Sequence, residues 1–94
     1  MKNSRYIIFN QNETKSQIEA AQPEMTQVEH TIANYFLNNE EMTDFSSKRI
    51  SALLYVSEAT LSRFAKKCGF KGYREFIFAY EKDLKEENNG AVSE

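Results

Sequence analysis

Residues 47–69 read SKRISALLYVSEATLSRFAKKCG, and this segment predicts the fold more clearly than any other part of the chain. It holds two short segments with the apolar spacing of helices, joined by a tight turn, and the second segment ends in a basic cluster. The apolar positions are Ile50, Leu54, Val56, Leu61 and Phe64. With the small Ser51 facing the crossing, they allow two short helices to pack steeply around one compact turn. This arrangement is typical of a helix-turn-helix.

The first part of the chain also favours helices. A short helix is predicted over residues 14–22, where Pro23 stops it. A second helix begins at Thr26, which forms a capping box with Glu29, and extends to about Leu37. Its apolar face is predicted to comprise Val28, Ile32, Tyr35 and Phe36.

The two helices of the motif have their own boundary signals. Ser46 or Ser47 is expected to cap the first of them, which carries Ile50, Leu53 and Leu54. Ser57 is expected to cap the second, which ends at Cys68 with Gly69 as the terminating glycine.

A last helix is predicted over residues 73–86, followed by the small polar tail at 88–94. With only 3 glycines and 1 proline, the composition argues against a turn-rich β fold. The expected fold is therefore all-α: a small helical bundle of about five helices that contains a helix-turn-helix. We assign residues 1–14 to an N-terminal arm, 15–86 to the helix-turn-helix domain, and 87–94 to a linker toward a further C-terminal domain.

Composition excludes several classes of protein. At 94 residues the chain is one small domain, without the size for a deep enzyme cleft. It has no apolar run long enough to span a membrane and no signal-peptide pattern. Cys68 is the only cysteine, which excludes an intrachain disulfide and fits a reducing cytoplasm.

The net charge of −2 is unevenly distributed along the chain. Residues 48–74 carry seven basic residues and one acid, Glu58, whereas the remainder carries five basic and thirteen acidic residues. Because salt screens charges beyond roughly 10 Å, the attraction of a nucleic-acid backbone depends on this local positive excess more than on the net charge of the chain.

The second helix of the motif has the pattern that DNA recognition requires. Leu61 and Phe64 anchor one face, which leaves short polar and basic side chains on the other. We expect Arg63 to contact a guanine edge and the lysines that follow it to contact phosphates. The expected DNA-binding residues are Ser57, Glu58, Ala59, Thr60, Ser62, Arg63, Lys66, Lys67 and Lys71.

Some of these residues have a second interpretation. Glu58 could accept from a cytosine amine, or it could simply be an acid favoured at a helix N-terminus. Lys66 and Lys67 could serve only to complement the helix dipole.

His30 is expected to be structural, since it has no metal-ligand constellation, and Cys68 is expected to be a small core residue.

The chain shows no catalytic constellation, so an enzyme is not expected, and neither is a cofactor or metal. The competing function is a helical protein-interaction module that presents its basic face to an acidic partner. Salt-dependent binding to duplex DNA with a preference for one sequence would separate the two.

Two stretches, MTQVEHTIANYFLNN at 25–39 and VSEATLSRFAKKCGFKGYREF at 56–76, resemble the N-terminal DNA-binding domain of the RpiR family of bacterial transcriptional regulators. The resemblance implies a cytoplasmic regulator of sugar-metabolism genes that binds double-stranded DNA as a homodimer. It also implies that a phosphosugar effector binds a C-terminal domain absent from this chain.

The sequence departs from the family pattern at Tyr55, where the family usually has glycine. A residue with a side chain must there accept a positive φ at some cost, or the turn must shift. The resemblance gives nothing for the N-terminal arm. Phe78 is either ordinary surface or, with Tyr6, Ile7 and Phe9, part of a subunit contact.

Overall fold

A computed structural model describes residues 12–93. In this range the chain forms five α-helices and no strand. The helices are α1 Glu13–Ala21, α2 Gln27–Asn38, α3 Ser47–Leu54, α4 Glu58–Lys67 and α5 Tyr73–Ser93, with a 3-10 turn at Gln22–Glu24. The all-α fold with a helix-turn-helix, formed by α3 and α4, is confirmed.

Side-chain caps set the helix starts. The Thr26 hydroxyl accepts from the Glu29 amide at 3.2 Å, and the Glu29 carboxylate accepts from the Thr26 amide at 2.9 Å, so the predicted capping box is present. Ser46, not Ser47, caps α3, and Ser57 caps α4. Each cap satisfies an amide that the helix itself leaves without a partner.

Both ends of the folded part extend further than the sequence predicted. The arm was expected to include residue 14, but α1 begins at Glu13, capped by Asn12. Thr14 is buried, and its amide and hydroxyl both donate to one Asp83 oxygen, at 2.9 and 2.6 Å. At the other end α5 continues to Ser93 instead of ending near residue 86, because a single interior glycine weakens a helix without terminating it.

Aromatic rings gathered around Phe36 form the centre of the core. Phe76 and Tyr80 of α5 each contact the Phe36 ring edge-on at a centroid distance of 4.9 Å. Phe64 of α4 stacks on it at 6.3 Å, and Phe45 of the loop before α3 lies at 6.2 Å. The ring of Phe36 thus contacts side chains from α4, α5 and the α2–α3 loop.

One position predicted on a buried apolar face is wrong. Val28 is 47% exposed, because the buried face of α2 is formed by residues spaced three and four apart that exclude it: Glu29, Ile32, Ala33 and Phe36. Leu53 on α3 is also exposed. The anchors of the motif are confirmed: Ile50, Leu61 and Phe64 are fully buried, while Leu54 and Val56 pack against them partly buried.

Tyr55 forms the turn between α3 and α4 in the left-handed conformation. Its φ is 61° and its ψ is 43°, and it is the only non-glycine residue with positive φ among those described. The amides of Tyr55 and Val56 both donate to the Ser51 carbonyl, the bonding of a left-handed helix terminus. Tyr55 therefore adopts the strained conformation. Its side chain is 94% exposed, so packing contacts offset little of the strain energy.

We expect Tyr55→Gly to raise the free energy of unfolding by about 1 kcal/mol. Glycine adopts positive φ without the Cβ clash, although its greater freedom in the unfolded chain offsets part of the gain. Chemical denaturation measures the change. Tyr55→Ala is the matched control, because it removes the ring and keeps the Cβ. A gain of the same size in Tyr55→Ala would show that backbone strain is not the cause.

An ion pair joins α2 to the C-terminal end of α4. Lys67 Nζ lies 2.7 Å from Glu29 Oε1 and also donates to the Glu24 carbonyl at 3.0 Å. The Glu29 side chain is only 7% exposed. Burial acts to raise the pKa of Glu29, but the hydrogen bonds from Lys67 and Thr26 outweigh it, so the pKa lies below the ordinary value of 4.5.

We expect Lys67→Met to destabilise the domain by about 2 kcal/mol at neutral pH, because it leaves a buried carboxylate without its partner. A lowered pKa means that the pair stabilises the fold above pH 4.5, and that this contribution is lost as the pH falls through the folded-state pKa. The difference between wild type and variant should therefore shrink in acid.

Denaturation curves at neutral and acidic pH measure both effects. Lys82→Met is the control, since it breaks the exposed Lys82–Glu86 pair and should change little. A Lys67→Met effect no larger than the control would mean that the pair does not stabilise the fold.

Candidate nucleic-acid interface

The predicted DNA-binding residues lie along α4, at its N-cap and in the loop that follows. Seven of the nine side chains are exposed, Thr60 and Ser62 are half-buried, and none belongs to the core. The opposite face of α4 buries Leu61, Phe64 and Ala65. One face of the helix is thus fixed in the core, and the polar face is available to a ligand.

Three polar side chains on this face form a hydrogen-bonded row. The Ser57 hydroxyl accepts from the Thr60 amide at 3.0 Å and lies 2.8 Å from the Thr60 hydroxyl. Arg63 Nη2 donates to the same Thr60 hydroxyl at 3.2 Å. Residues three apart lie close together on a helix surface, so the row follows the helix from its N-cap to its middle.

Glu58 is bound by a residue that the sequence analysis did not include in the site. The Ser47 hydroxyl, at the start of α3, donates to Glu58 Oε1 at 2.8 Å. The sequence predicts Ser47 only as a possible cap, because residues eleven positions apart have no spacing pattern that predicts a contact. The contact arises only where the two helices of the motif meet.

The basic residues differ in whether their side-chain nitrogens are hydrogen-bonded to other helices or loops of the domain. Lys66 is exposed, and so is Lys71, whose own amide donates to the Glu75 carboxylate at 2.6 Å. Lys67, expected to contact phosphate, instead has its ammonium held by Glu29 and by the Glu24 carbonyl. Arg49 of α3 likewise donates to the Asp44 carbonyl at 2.7 Å.

The C-terminal end of α4 is also closed by specific contacts. Gly69 has a φ of 102°, and the amides of Gly69 and Phe70 donate to the carbonyls of Lys66 and Ala65, which is a Schellman motif. Gln17 of α1 donates to the Cys68 carbonyl at 3.0 Å. Both contacts fix the orientation of the helix that carries the polar face.

Cys68 is buried under this helix end, as expected for a core residue. Burial, with a smaller contribution from Glu29, raises the pKa of its thiol to about 11, so it is a neutral thiol at physiological pH. Within the described part of the chain, no three acidic, histidine or cysteine side chains come together as metal ligands. The helices of residues 12–93 include none with the length and apolarity to cross a membrane.

Comparison with known proteins agrees with this geometry. The family model described as "Helix-turn-helix domain, rpiR family" matches residues 10–87, which include α1 to α4 and most of α5. A search of curated proteins finds no significant match to the chain. The matched range covers the polar face of α4 as well as the core that supports it. The chain belongs to the RpiR family of helix-turn-helix domains and is a DNA-binding regulatory domain.

Proposed function

We propose that this domain binds specific DNA sequences for a bacterial, cytoplasmic transcriptional regulator of sugar or phosphosugar metabolism genes, and that it inserts α4 into the major groove. The observation that carries the DNA-binding part is the two-sided nature of α4, which has a fully buried anchor on one side and short polar groups with Arg63 on the other. The sugar-metabolism part rests on the resemblance to RpiR regulators.

The N-terminal half of α4 carries the side chains suited to base edges. In helix-turn-helix proteins this half of the second helix contacts the bases, while the first helix crosses the backbone. Ser57, Glu58, Ala59, Thr60, Ser62 and Arg63 are all at least partly exposed there. An arginine guanidinium can bind the two acceptors of guanine with two N–H groups, so Arg63 is the proposed base-reading residue.

Phosphate contacts are proposed for the exposed lysines that follow, Lys66 and Lys71. They lie in the segment with the positive excess, where each released counterion would favour binding. Lys67 is left out of this set, because its ammonium is already engaged by the Glu29 carboxylate and the Glu24 carbonyl. Its proposed role is to hold α4 in place.

We further propose that the regulator binds as a homodimer and that a phosphosugar effector acts through a separate C-terminal domain, both as the resemblance implies. Phe78 is 71% exposed on α5, so it is accessible to a second subunit, although a lone exposed phenylalanine is equally compatible with ordinary surface. Tyr6, Ile7 and Phe9, the other expected members of that contact, lie outside the described residues. The helical segment 87–93 would lead toward the effector domain.

Selection of bound duplexes from a random pool tests sequence-specific binding and the homodimer together. A sequence-specific dimer should recover sites with two-fold symmetry and half-sites about one helical turn apart. Recovered sites without symmetry would contradict the dimer. A pool that shows no enrichment would contradict sequence-specific binding, and would favour the basic face as a surface for an acidic protein partner.

Arg63→Ala should reduce affinity for the selected duplex by about 1–3 kcal/mol and relax the base preference. The physical reason is that a bidentate guanine contact discriminates among bases, whereas phosphate contacts do not. Binding of wild type and variant to selected and scrambled duplexes measures the effect. A variant that retains the wild-type preference would exclude Arg63 as the base-reading residue.

Lys71→Ala should weaken binding to all duplexes equally and make the salt dependence shallower, because one phosphate contact and its released counterions are lost. Binding at several salt concentrations measures the slope. Lys82→Ala removes the same charge from α5 outside the basic segment and should leave the slope unchanged. Equal slopes for Lys71→Ala and wild type would show that Lys71 makes no phosphate contact.

A further inference from the structure

We infer that Thr60 is a positioning residue for Arg63: its hydroxyl holds the guanidinium over the N-terminal turn of α4, and the base preference of Arg63 depends on that bond. This inference rests on the proposed function. It assigns Thr60 a different role from the direct DNA contact that the sequence suggested.

The Thr60 hydroxyl is engaged on two sides. It accepts from Arg63 Nη2 at 3.2 Å and shares a 2.8 Å hydrogen bond with the Ser57 hydroxyl. Ser57 is itself held as the N-cap of α4 by the Thr60 amide at 3.0 Å. The guanidinium is therefore linked through two hydroxyls to the most firmly placed point of the helix, its capped first turn.

The direction of this link favours base contact. Without a local partner, an arginine on a helix surface samples many rotamers, and ordering them on binding lowers affinity. The bond to Thr60 draws Arg63 toward the N-terminal end of α4, the end that approaches base edges in helix-turn-helix complexes. A guanidinium has five N–H groups, so the bond to Thr60 leaves enough donors for a bidentate guanine contact.

The half-buried position of Thr60 fits this role. Its neighbours Ala59 and Arg63 are exposed, whereas the shorter-reaching Thr60 is half-buried. A β-branched side chain is restricted at χ1, and the hydrogen bonds to Ser57 and Arg63 select one position for the Thr60 hydroxyl. Thr60 thus suits the task of orienting a longer side chain better than that of reaching a base itself.

A double-mutant cycle separates positioning from direct contact. The measurements use the duplex selected by the wild-type chain and a scrambled duplex of the same composition. Thr60→Val removes the hydroxyl and keeps the shape. It should lower affinity for the selected duplex about 3- to 10-fold, without changing affinity for the scrambled duplex or the salt slope. Thr60→Ser keeps the hydroxyl and should restore binding to within about 2-fold of wild type.

The decisive arm is Thr60→Val introduced into Arg63→Ala. If Thr60 acts through Arg63, the second substitution should have no further effect. An added loss equal to that in the wild-type background would overturn the inference and assign Thr60 its own DNA contact. Unchanged preference in Thr60→Val alone would overturn it as well.

One control variant and one alternative substitution guard against a folding artefact. Thr31→Val makes the same substitution at an exposed position of α2, where the hydroxyl bonds only to the Gln27 carbonyl in the described structure, and should not change DNA binding. If Thr60→Val unfolds at lower denaturant than Thr31→Val does, Thr60→Ala replaces it in the cycle. Failure of the wild-type chain to prefer any duplex would instead refute the proposed function, and this inference would fall with it.

Discussion

The packing of the Phe36 ring holds α2 against α4, α5 and the loop before α3. Phe64 of α4, Phe76 and Tyr80 of α5, and Phe45 of the loop before α3 all contact it. Aromatic pairs of this kind add about 0.5–1.5 kcal/mol each beyond the burial of their area. The Tyr80 hydroxyl also donates to the Phe36 carbonyl at 2.8 Å. In a domain this small, one such cluster must fix the relative positions of several helices.

The orientation of α4 follows from that cluster and from polar contacts at both of its ends. Ser57 caps the first turn, and the Ser47–Glu58 bond ties the same turn to α3. At the other end Lys67 pairs with Glu29, and Gln17 binds the Cys68 carbonyl. A helix held at both ends presents its side chains with little reorganisation on binding a ligand, which lowers the entropy cost of binding.

Much of the fold and part of the candidate site could be predicted from the sequence, because the strongest signals were local. The capping box at Thr26, the cap at Ser57 and the terminating Gly69 depend on residues no more than a few positions apart. For Tyr55 the sequence left two alternatives, a positive φ or a shifted turn, and the structure shows the positive φ. Apolar spacing was a weaker guide, because more than one face of a helix can fit the same period, and it wrongly placed Val28 on the buried face of α2.

Local signals in the sequence were enough to predict the helical fold, the position of the helix-turn-helix and the exposed face of α4, because caps, turns and apolar spacing act within a few residues along the chain. The long-range contacts of individual polar residues appeared only in the folded domain. Lys67 pairs with Glu29 where α2 meets the end of α4, and Ser47 bonds to Glu58 where α3 crosses α4. Thr14 joined the core through Asp83, sixty-nine positions away. Such pairings depend on which helices meet in space, and local sequence patterns do not encode that proximity.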